Sequence, residues 1–146
     1  LAEAVERVAA TVVPRLLGDG GLTAHGRTVT PVVVHGDLWS GNAGRGRIRC
    51  GKGGGVTAVE EVVFDPSCVY GHAEYELGIM RMFGGFGPAF WREYEALVEK
   101  DEPKEEWEDR LALYELYHHL NHYALFGSGY RSGAMSIMRR LISKYG

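Results

Sequence analysis

The stretch Val32-Val33-Val34-His35-Gly36-Asp37-Leu38-Trp39-Ser40-Gly41-Asn42 decides the fold. Its first three residues are an apolar, β-branched run that reads as a short buried strand. After that run an aspartate follows a histidine by two positions, and an asparagine follows the aspartate by five. Gly36 and Gly41 let the backbone turn tightly and approach a ligand closely. Asp, Asn and Gly favour turns on their own account. Turn preference does not explain their order, nor a second apolar run, Val62-Val63-Phe64, that also ends in an aspartate, Asp65, before Pro66.

The spacing is that of a kinase catalytic loop, in which the Asp receives a substrate hydroxyl and the Asn holds magnesium. In the same logic Asp65 is the second metal ligand. Phosphoryl transfer needs positioning and charge neutralisation rather than covalent work by the protein. Magnesium takes hard oxygen ligands and keeps several waters, so one amide oxygen and one carboxylate suffice beside the nucleotide phosphates. Asp37 is the expected base, a role worth about 10² to 10⁴ in rate. His35 is expected to support the loop. ATP and Mg2+ are the expected co-substrate and metal.

His35-Gly36-Asp37-Leu38-Trp39-Ser40-Gly41-Asn42 is similar to the catalytic loop of the fructosamine-3-kinase (ketosamine kinase) family, within the protein-kinase-like superfamily. Phe64-Asp65-Pro66-Ser67 with Tyr70-Gly71-His72 resembles its DP…YGH stretch, and Met82-Phe83-Gly84-Gly85-Phe86 its LFGGF turn. Tyr114-Glu115-Leu116-Tyr117-His118-His119-Leu120-Asn121-His122 resembles its YxLYHLLNH helix. The match runs from about Val32 to Tyr130.

The resemblance implies that Trp39 lies against the substrate sugar and that His119, Asn121 and His122 sit near the substrate pocket. The family pattern GHREVDLAM has an Arg where Ala73 stands here, and an Asp where Glu76 stands. Glu76 keeps the charge with one more methylene, and is expected to orient the loop or to bind the substrate amine. The implied activity is ATP-dependent phosphorylation of a sugar hydroxyl on a glycated amine or protein, in the sense of deglycation repair. Two alternatives stand beside it: a kinase for an aminoglycoside or choline-type alcohol, and a non-catalytic lobe serving as an interaction module.

Length and composition set bounds. The chain has 146 residues, enough for one domain or part of one, and its size permits a substantial core. A net charge of −3 gives no basic surface for nucleic acid. No apolar run is long enough to span a membrane, and no secretory signal is present. Cys50 and Cys68 form no framework, so a reducing, cytoplasmic setting is expected. The stretch before Val32 is too short for a Gly-rich loop, a strand lysine and a helix glutamate. The expectation is therefore that residues 1–146 form the C-terminal lobe of a longer protein. The isolated chain, without the N-terminal ATP-binding lobe as its partner, is expected to be inactive and to bind Mg-ATP poorly.

The expected fold is α+β and mostly helical, with a small β-hairpin at the active site. Val5, Val8, Ala9, Val12, Val13 and Leu16 form a helical stripe, kinked by Pro14 and ended by Gly18-Asp19-Gly20-Gly21. Arg47–Cys50 and Val56–Phe64 read as hairpin arms around Gly51-Lys52-Gly53-Gly54-Gly55. That tip lacks the GxxxxGK[ST] arrangement of a phosphate loop.

Helices are expected at Glu74–Met82, beneath the loop, and at Pro88–Lys100, with Phe90, Tyr94, Leu97 and Val98 inward. Another is expected from Pro103 to Phe126, with Trp107, Leu111, Tyr114, Leu120 and Leu125 in the core. A last one, capped by Ser132, is expected at Gly133–Lys144, with Ile137, Met138, Leu141 and Ile142 inward. His118 and His122 share a helix face, but no HExxH pattern or third ligand supports zinc there, and a core or pocket role is expected.

Overall fold

In the computed structural model, residues 1–18 and 20–146 are described; Asp19, within the expected end of the first helix, lies outside them. The chain opens with α1 (Ala2–Arg7), a π-type turn (Val8–Val12) and α2 (Val13–Leu17). The expected kink takes the form of this wider turn just before Pro14, where proline's missing N–H and ring are accommodated without ending the run.

β1 (Val32–Val34) leads into the catalytic loop and pairs antiparallel with β4 (Val69–Gly71), Val33 lying opposite Tyr70. The expectation of a buried strand is corrected. Val34 is buried, but Val33 is 72% exposed. The strand belongs to a two-stranded ribbon, so one face stays open.

β2 (Ala43–Gly46) pairs with β3 (Glu60–Val63), Ala43 lying opposite Val63. The hairpin is there, but its first regular arm begins directly after Asn42 rather than at Arg47. Beyond Gly46 the pairing continues only as the Arg49–Val56 bridge, with an extra residue in the returning arm. The hairpin therefore runs from Asn42 to Asp65 and holds the two candidate metal ligands at its base.

α3 (Tyr75–Phe83), α4 (Pro88–Leu97), α5 (Trp107–Phe126) and α6 (Arg131–Tyr145) complete the fold. α5 is the central element. Its Leu113 and Leu116 join Val8, Val12, Leu16, Met138 and Leu141 in one core cluster. Its Trp107 and Leu111 join Leu77 and Met80 in a second. α3 crosses α5 at Gly78, where a Cβ would come within 2.8 Å of the Tyr114 carbonyl carbon. Only a residue without a side chain allows that approach.

Three expectations on the helices are corrected. α4 buries no residue fully: Phe90, Leu97 and Val98 are exposed, and only its Tyr94 and Trp91 pack on the second cluster. Leu125 is 66% exposed, because α5 runs beyond the helices that cover its middle. Ser132 lies inside α6, which starts at Arg131 behind a short 3₁₀ turn, Ser128–Tyr130. A second 3₁₀ turn, Lys104–Glu106, precedes α5.

One buried ion pair joins these parts. Arg110 on α5 is fully buried; its Nε donates to Glu74 Oε2 at 2.6 Å and its Nη2 to Oε1 at 2.8 Å. The same guanidinium donates to the carbonyls of Asp101 and Pro103, which pins the segment between α4 and α5. Removing one partner strands the other charge. Arg110→Ala is expected to cost about 3–5 kcal/mol, read as a lowered urea midpoint with an unchanged m-value.

Candidate functional site

The catalytic loop is held from below by one side chain. Glu76, in the first turn of α3, accepts the His35 N–H on Oε2 and the Gly36 N–H on Oε1, the latter at 3.0 Å. Gly36 needs its freedom: φ is +78°, and a Cβ would meet the Ser67 carbonyl oxygen at 2.2 Å. Glu76 thus serves the loop backbone. It is absent from the lining of the cleft described below, so the expectation that it touches substrate gives way to a positioning role. The physical reason is that its oxygens are already taken by backbone donors.

His35 ties the loop to its neighbour. Its Nε2 lies 2.9 Å from the Phe64 carbonyl, which can only accept, so Nε2 carries the proton. Nδ1 is then free to accept the Asp37 N–H at 3.3 Å. Asn42, buried, donates through Nδ2 to the Asp37 carbonyl at 2.9 Å and to Asp37 Oδ2 at 3.0 Å. Its own carbonyl accepts the Phe64 N–H. Asp65 follows with φ +57°, a left-handed backbone that a non-glycine residue rarely adopts and that clusters at functional sites. Asp37, Asn42 and the approach to Asp65 therefore form one hydrogen-bonded unit.

Trp39 is 37% exposed. Its ring lies over Gly41, where a Cβ would meet Cη2 at 2.2 Å, and 5.5 Å from the Phe83 ring. Phe83 in turn lies 5.3 Å from His122, which packs on Phe126 and Tyr130. Gly85, φ +91°, lets the turn after α3 press on Ser40. Aromatic contacts thus connect the loop to α5.

On the other side of Asp37 a cleft of about 260 Å³ is lined by Gly36, Asp37, Ser67, Tyr75, Ile79, Tyr117, His118, Asn121, His122, Leu125 and Phe126. Asn121 and His122 line it. His119 does not: its ring packs on Gly133 of α6 and its Nε2 lies 3.6 Å from Glu115. One residue is about 100° of helix rotation, so the face at 118, 121, 122 and 125 turns toward Asp37 while 119 turns away. Neither Trp39, Asn42 nor Asp65 lines this cleft. The two candidate metal ligands thus lie outside the cleft lining.

His122 Nδ1 lies 2.8 Å from the His118 carbonyl and must donate to it, leaving Nε2 with the lone pair. Burial pushes the Tyr75 phenol up, aided by Tyr117, Glu76 and Asp37, so it remains a donor in the cleft. His118, expected in a core or pocket role, lies in the cleft wall. It is 3% exposed, its Nε2 has no partner, and burial pushes its imidazole down to about 4, with His122 and His119 adding repulsion. His118 precedes Asn121 and His122 by three and four positions, the spacing of one helix face.

Among the described residues one group of three ligand-type side chains converges, His72, Glu74 and Asp101. Its donors are spent internally. His72 Nδ1 meets the Tyr114 hydroxyl and Nε2 meets Asp101 Oδ2, each at 2.7 Å, while Glu74 holds Arg110. No helix is long and apolar enough to cross a membrane among the described residues. Cys50 and Cys68 are free and exposed.

The site is a strand-to-loop Asp held by a buried Asn, with a second Asp at the end of the intervening hairpin. The sequence matches the fructosamine kinase family across residues 2–144, and the chain belongs to that family. It is 42% identical to ketosamine-3-kinase of Mus musculus over 113 residues, covering 77% of this chain and 32% of the relative. It is 44% identical to the chloroplastic protein-ribulosamine 3-kinase of Arabidopsis thaliana over 110 residues, covering 75% and 29%. A crystal structure from Thermobifida fusca, assigned as a fructosamine-3-kinase, superposes with a TM-score of 0.68 at 27% identity, covering 97% of this chain and 42% of that one. The chain spans about a third of the length of the curated relatives it matches.

Two outcomes follow from this geometry. Glu76→Gln keeps the shape but removes the charge that receives two N–H donors. It is expected to cost about 1.5–3 kcal/mol and to speed hydrogen exchange at the His35 and Gly36 amides. His118, with its folded value near 4 against an ordinary 6.5, takes up its proton more readily in the unfolded chain. Stability is therefore unaffected by this group above about pH 6.5 and falls as pH drops from there toward 4. In His118→Gln the Tm is expected to fall less steeply across that window, read by thermal melts at stepped pH.

Proposed function

We propose that the protein carrying this chain transfers the γ-phosphoryl group of ATP to a sugar hydroxyl of a ketosamine, a fructosyl- or ribulosyl-amine on a small amine or a protein. The observation that carries the reading is the Asp37–Asn42 pair at 3.0 Å, held at the base of a hairpin that ends in Asp65. Membership of the fructosamine kinase family supports the acceptor class.

Asp37 is the base. The acceptor hydroxyl oxygen attacks the γ-phosphorus, the bond from that phosphorus to the bridging oxygen of ADP breaks, and the hydroxyl proton passes to the Asp37 carboxylate. Asn42 fixes that carboxylate through Nδ2, and His35 and Glu76 fix the loop backbone that bears it. The donor set suits magnesium. Asn42 spends only its amide nitrogen on Asp37, which leaves Oδ1 for a cation, and Asp65 adds a carboxylate at a backbone position that is costly unless function requires it. Bound there, Mg2+ would neutralise phosphate charge. Trp39 offers an indole face for the apolar side of a sugar. Asn121 and His122 Nε2 supply polar contacts beside Asp37.

In this reading the chain is the C-terminal, catalytic lobe. The remaining nucleotide contacts come from an N-terminal lobe outside it, which packs over the exposed apolar face of β1 and β4, where Val33 and Tyr70 stand open. Among the described residues no helix is long and apolar enough to cross a membrane.

The test is phosphate transfer from Mg-ATP to N-fructosyl- and N-ribulosyl-lysine by the protein carrying this chain, followed by mass spectrometry. The wild type is expected to add one phosphate, and Asp37→Asn to lose transfer by about 10² or more while keeping nucleotide affinity. Retained transfer in Asp37→Asn would remove Asp37 from the base role. Transfer confined to aminoglycoside or choline-like alcohols would move the acceptor class.

A further inference from the structure

We infer that His118 is a substrate-binding residue that selects for a polyhydroxylated acceptor, its neutral imidazole pairing with a sugar hydroxyl other than the one that receives phosphate. The inference rests on the proposed function and deepens it, since it explains how the same cleft tells a sugar from a simple alcohol.

His118 sits in the wall of the cleft that contains Asp37, on the same helix face as Asn121 and His122. It is 3% exposed and its Nε2 has no hydrogen-bond partner. A buried nitrogen in that condition is costly, and native structures almost always give such an atom a partner. The residues around it supply none. Tyr75 and Tyr117 flank the imidazole with their rings, each with its centroid 5.2 Å away, and the contacts are tilted and edge-on rather than polar. Those two rings also fix the imidazole plane, so little side-chain entropy remains to be lost on binding. His118 forms part of the cleft wall, so a group bound in the cleft can supply the partner that the protein does not.

The chemistry of that partner is constrained. The depressed basicity of His118 keeps it uncharged at neutral pH, so it has no charge to attract a phosphate or carboxylate. A neutral imidazole gives one N–H and one lone pair, which matches a hydroxyl, itself both donor and acceptor. Asp37 already claims the reacting hydroxyl, so His118 reads another on the same acceptor. A site built to pair with a hydroxyl rejects an analogue without it, because the buried nitrogen is again left alone. An acceptor with a single hydroxyl cannot satisfy both residues.

The experiment is a substitution-by-substrate cycle on the protein carrying this chain. KM and kcat are measured for N-fructosyl-lysine and for its analogues lacking one non-reacting hydroxyl at a time, in wild type, His118→Phe and His118→Asn. Thermal melts accompany each variant. His118→Phe is expected to raise KM for N-fructosyl-lysine about ten-fold with the KM for ATP unchanged, and His118→Asn to restore most of the loss. One deoxy acceptor is expected to show the same penalty in wild type and no further penalty in His118→Phe. Additive losses for every deoxy acceptor, or an unchanged KM in a folded His118→Phe, would overturn the role of His118 while leaving the kinase reading intact. If His118→Phe does not fold, His118→Leu, which also removes the polar group, is measured in its place under the same additivity criterion. Absence of transfer by the wild type to any ketosamine would instead overturn the kinase reading and this inference with it.

Discussion

The carboxylate of Glu76 under the backbone of His35 and Gly36 is the contact on which the site depends. A loop that turns at Gly36 with φ +78° exposes two consecutive N–H groups on its inner side, and these must be paired if they are to be buried. A carboxylate pairs both at once, and its charge makes the bonds stronger than neutral ones. The consequence reaches outward. With the backbone fixed, His35 is aimed at Phe64, Asp37 is aimed at Asn42, and the β2–β3 hairpin is clamped at its base. Glu76 itself is held because α3 crosses α5 at Gly78 in backbone contact. The catalytic geometry therefore rests on the helix packing through one side chain.

α3 begins with two acidic residues that do opposite jobs. Glu74, just before the helix, points into the core and neutralises the buried Arg110. Glu76 points up into the loop. Two positions along a helix start are about 200° of rotation, so one carboxylate faces α5 while the other faces β1. The first secures the segment before α5 and the second secures the loop, and the two share a single short turn. This juxtaposition couples the packing of α5 to the placement of Asp37 without a direct contact between them.

Much of this was legible in the sequence. The loop and the Asp65 run stood out because polar residues of fixed spacing interrupt apolar runs, and the long helices announced themselves by period and by the glycines that end them. What was not legible follows from tertiary context. Val32 and Val33 look like core but lie on a ribbon with one open face, and Phe90, Leu97 and Leu125 lie on helix faces left open among the described residues. Apolar composition signals that a face will be covered, not by what. The first hairpin arm was placed too late because Ala43-Gly44 has low strand propensity, and pairing to Val62 and Val63 overrides it. Glu76 was legible as an acid near the loop, but only the structure shows both oxygens engaged by backbone. The motif's own histidine falls at 118 and not at 119, and the structure shows the two rings on different sides of α5, His118 in the cleft wall and His119 against Gly133.

That last point bears on how such a site divides its labour. The candidate base and metal ligands lie on the loop and the hairpin base, where backbone hydrogen bonds leave little freedom. On the proposed function the acceptor side is one face of α5, where Tyr117, His118, Asn121, His122 and Leu125 line the cleft beside Asp37. Helix side chains can be exchanged without disturbing the backbone they stand on. A substitution on that face changes which hydroxyls and which apolar surfaces an acceptor must offer, while Asp37 keeps its geometry. On the proposed function, backbone contacts hold the transfer apparatus in place, while Trp39 and one stripe of α5 meet the acceptor.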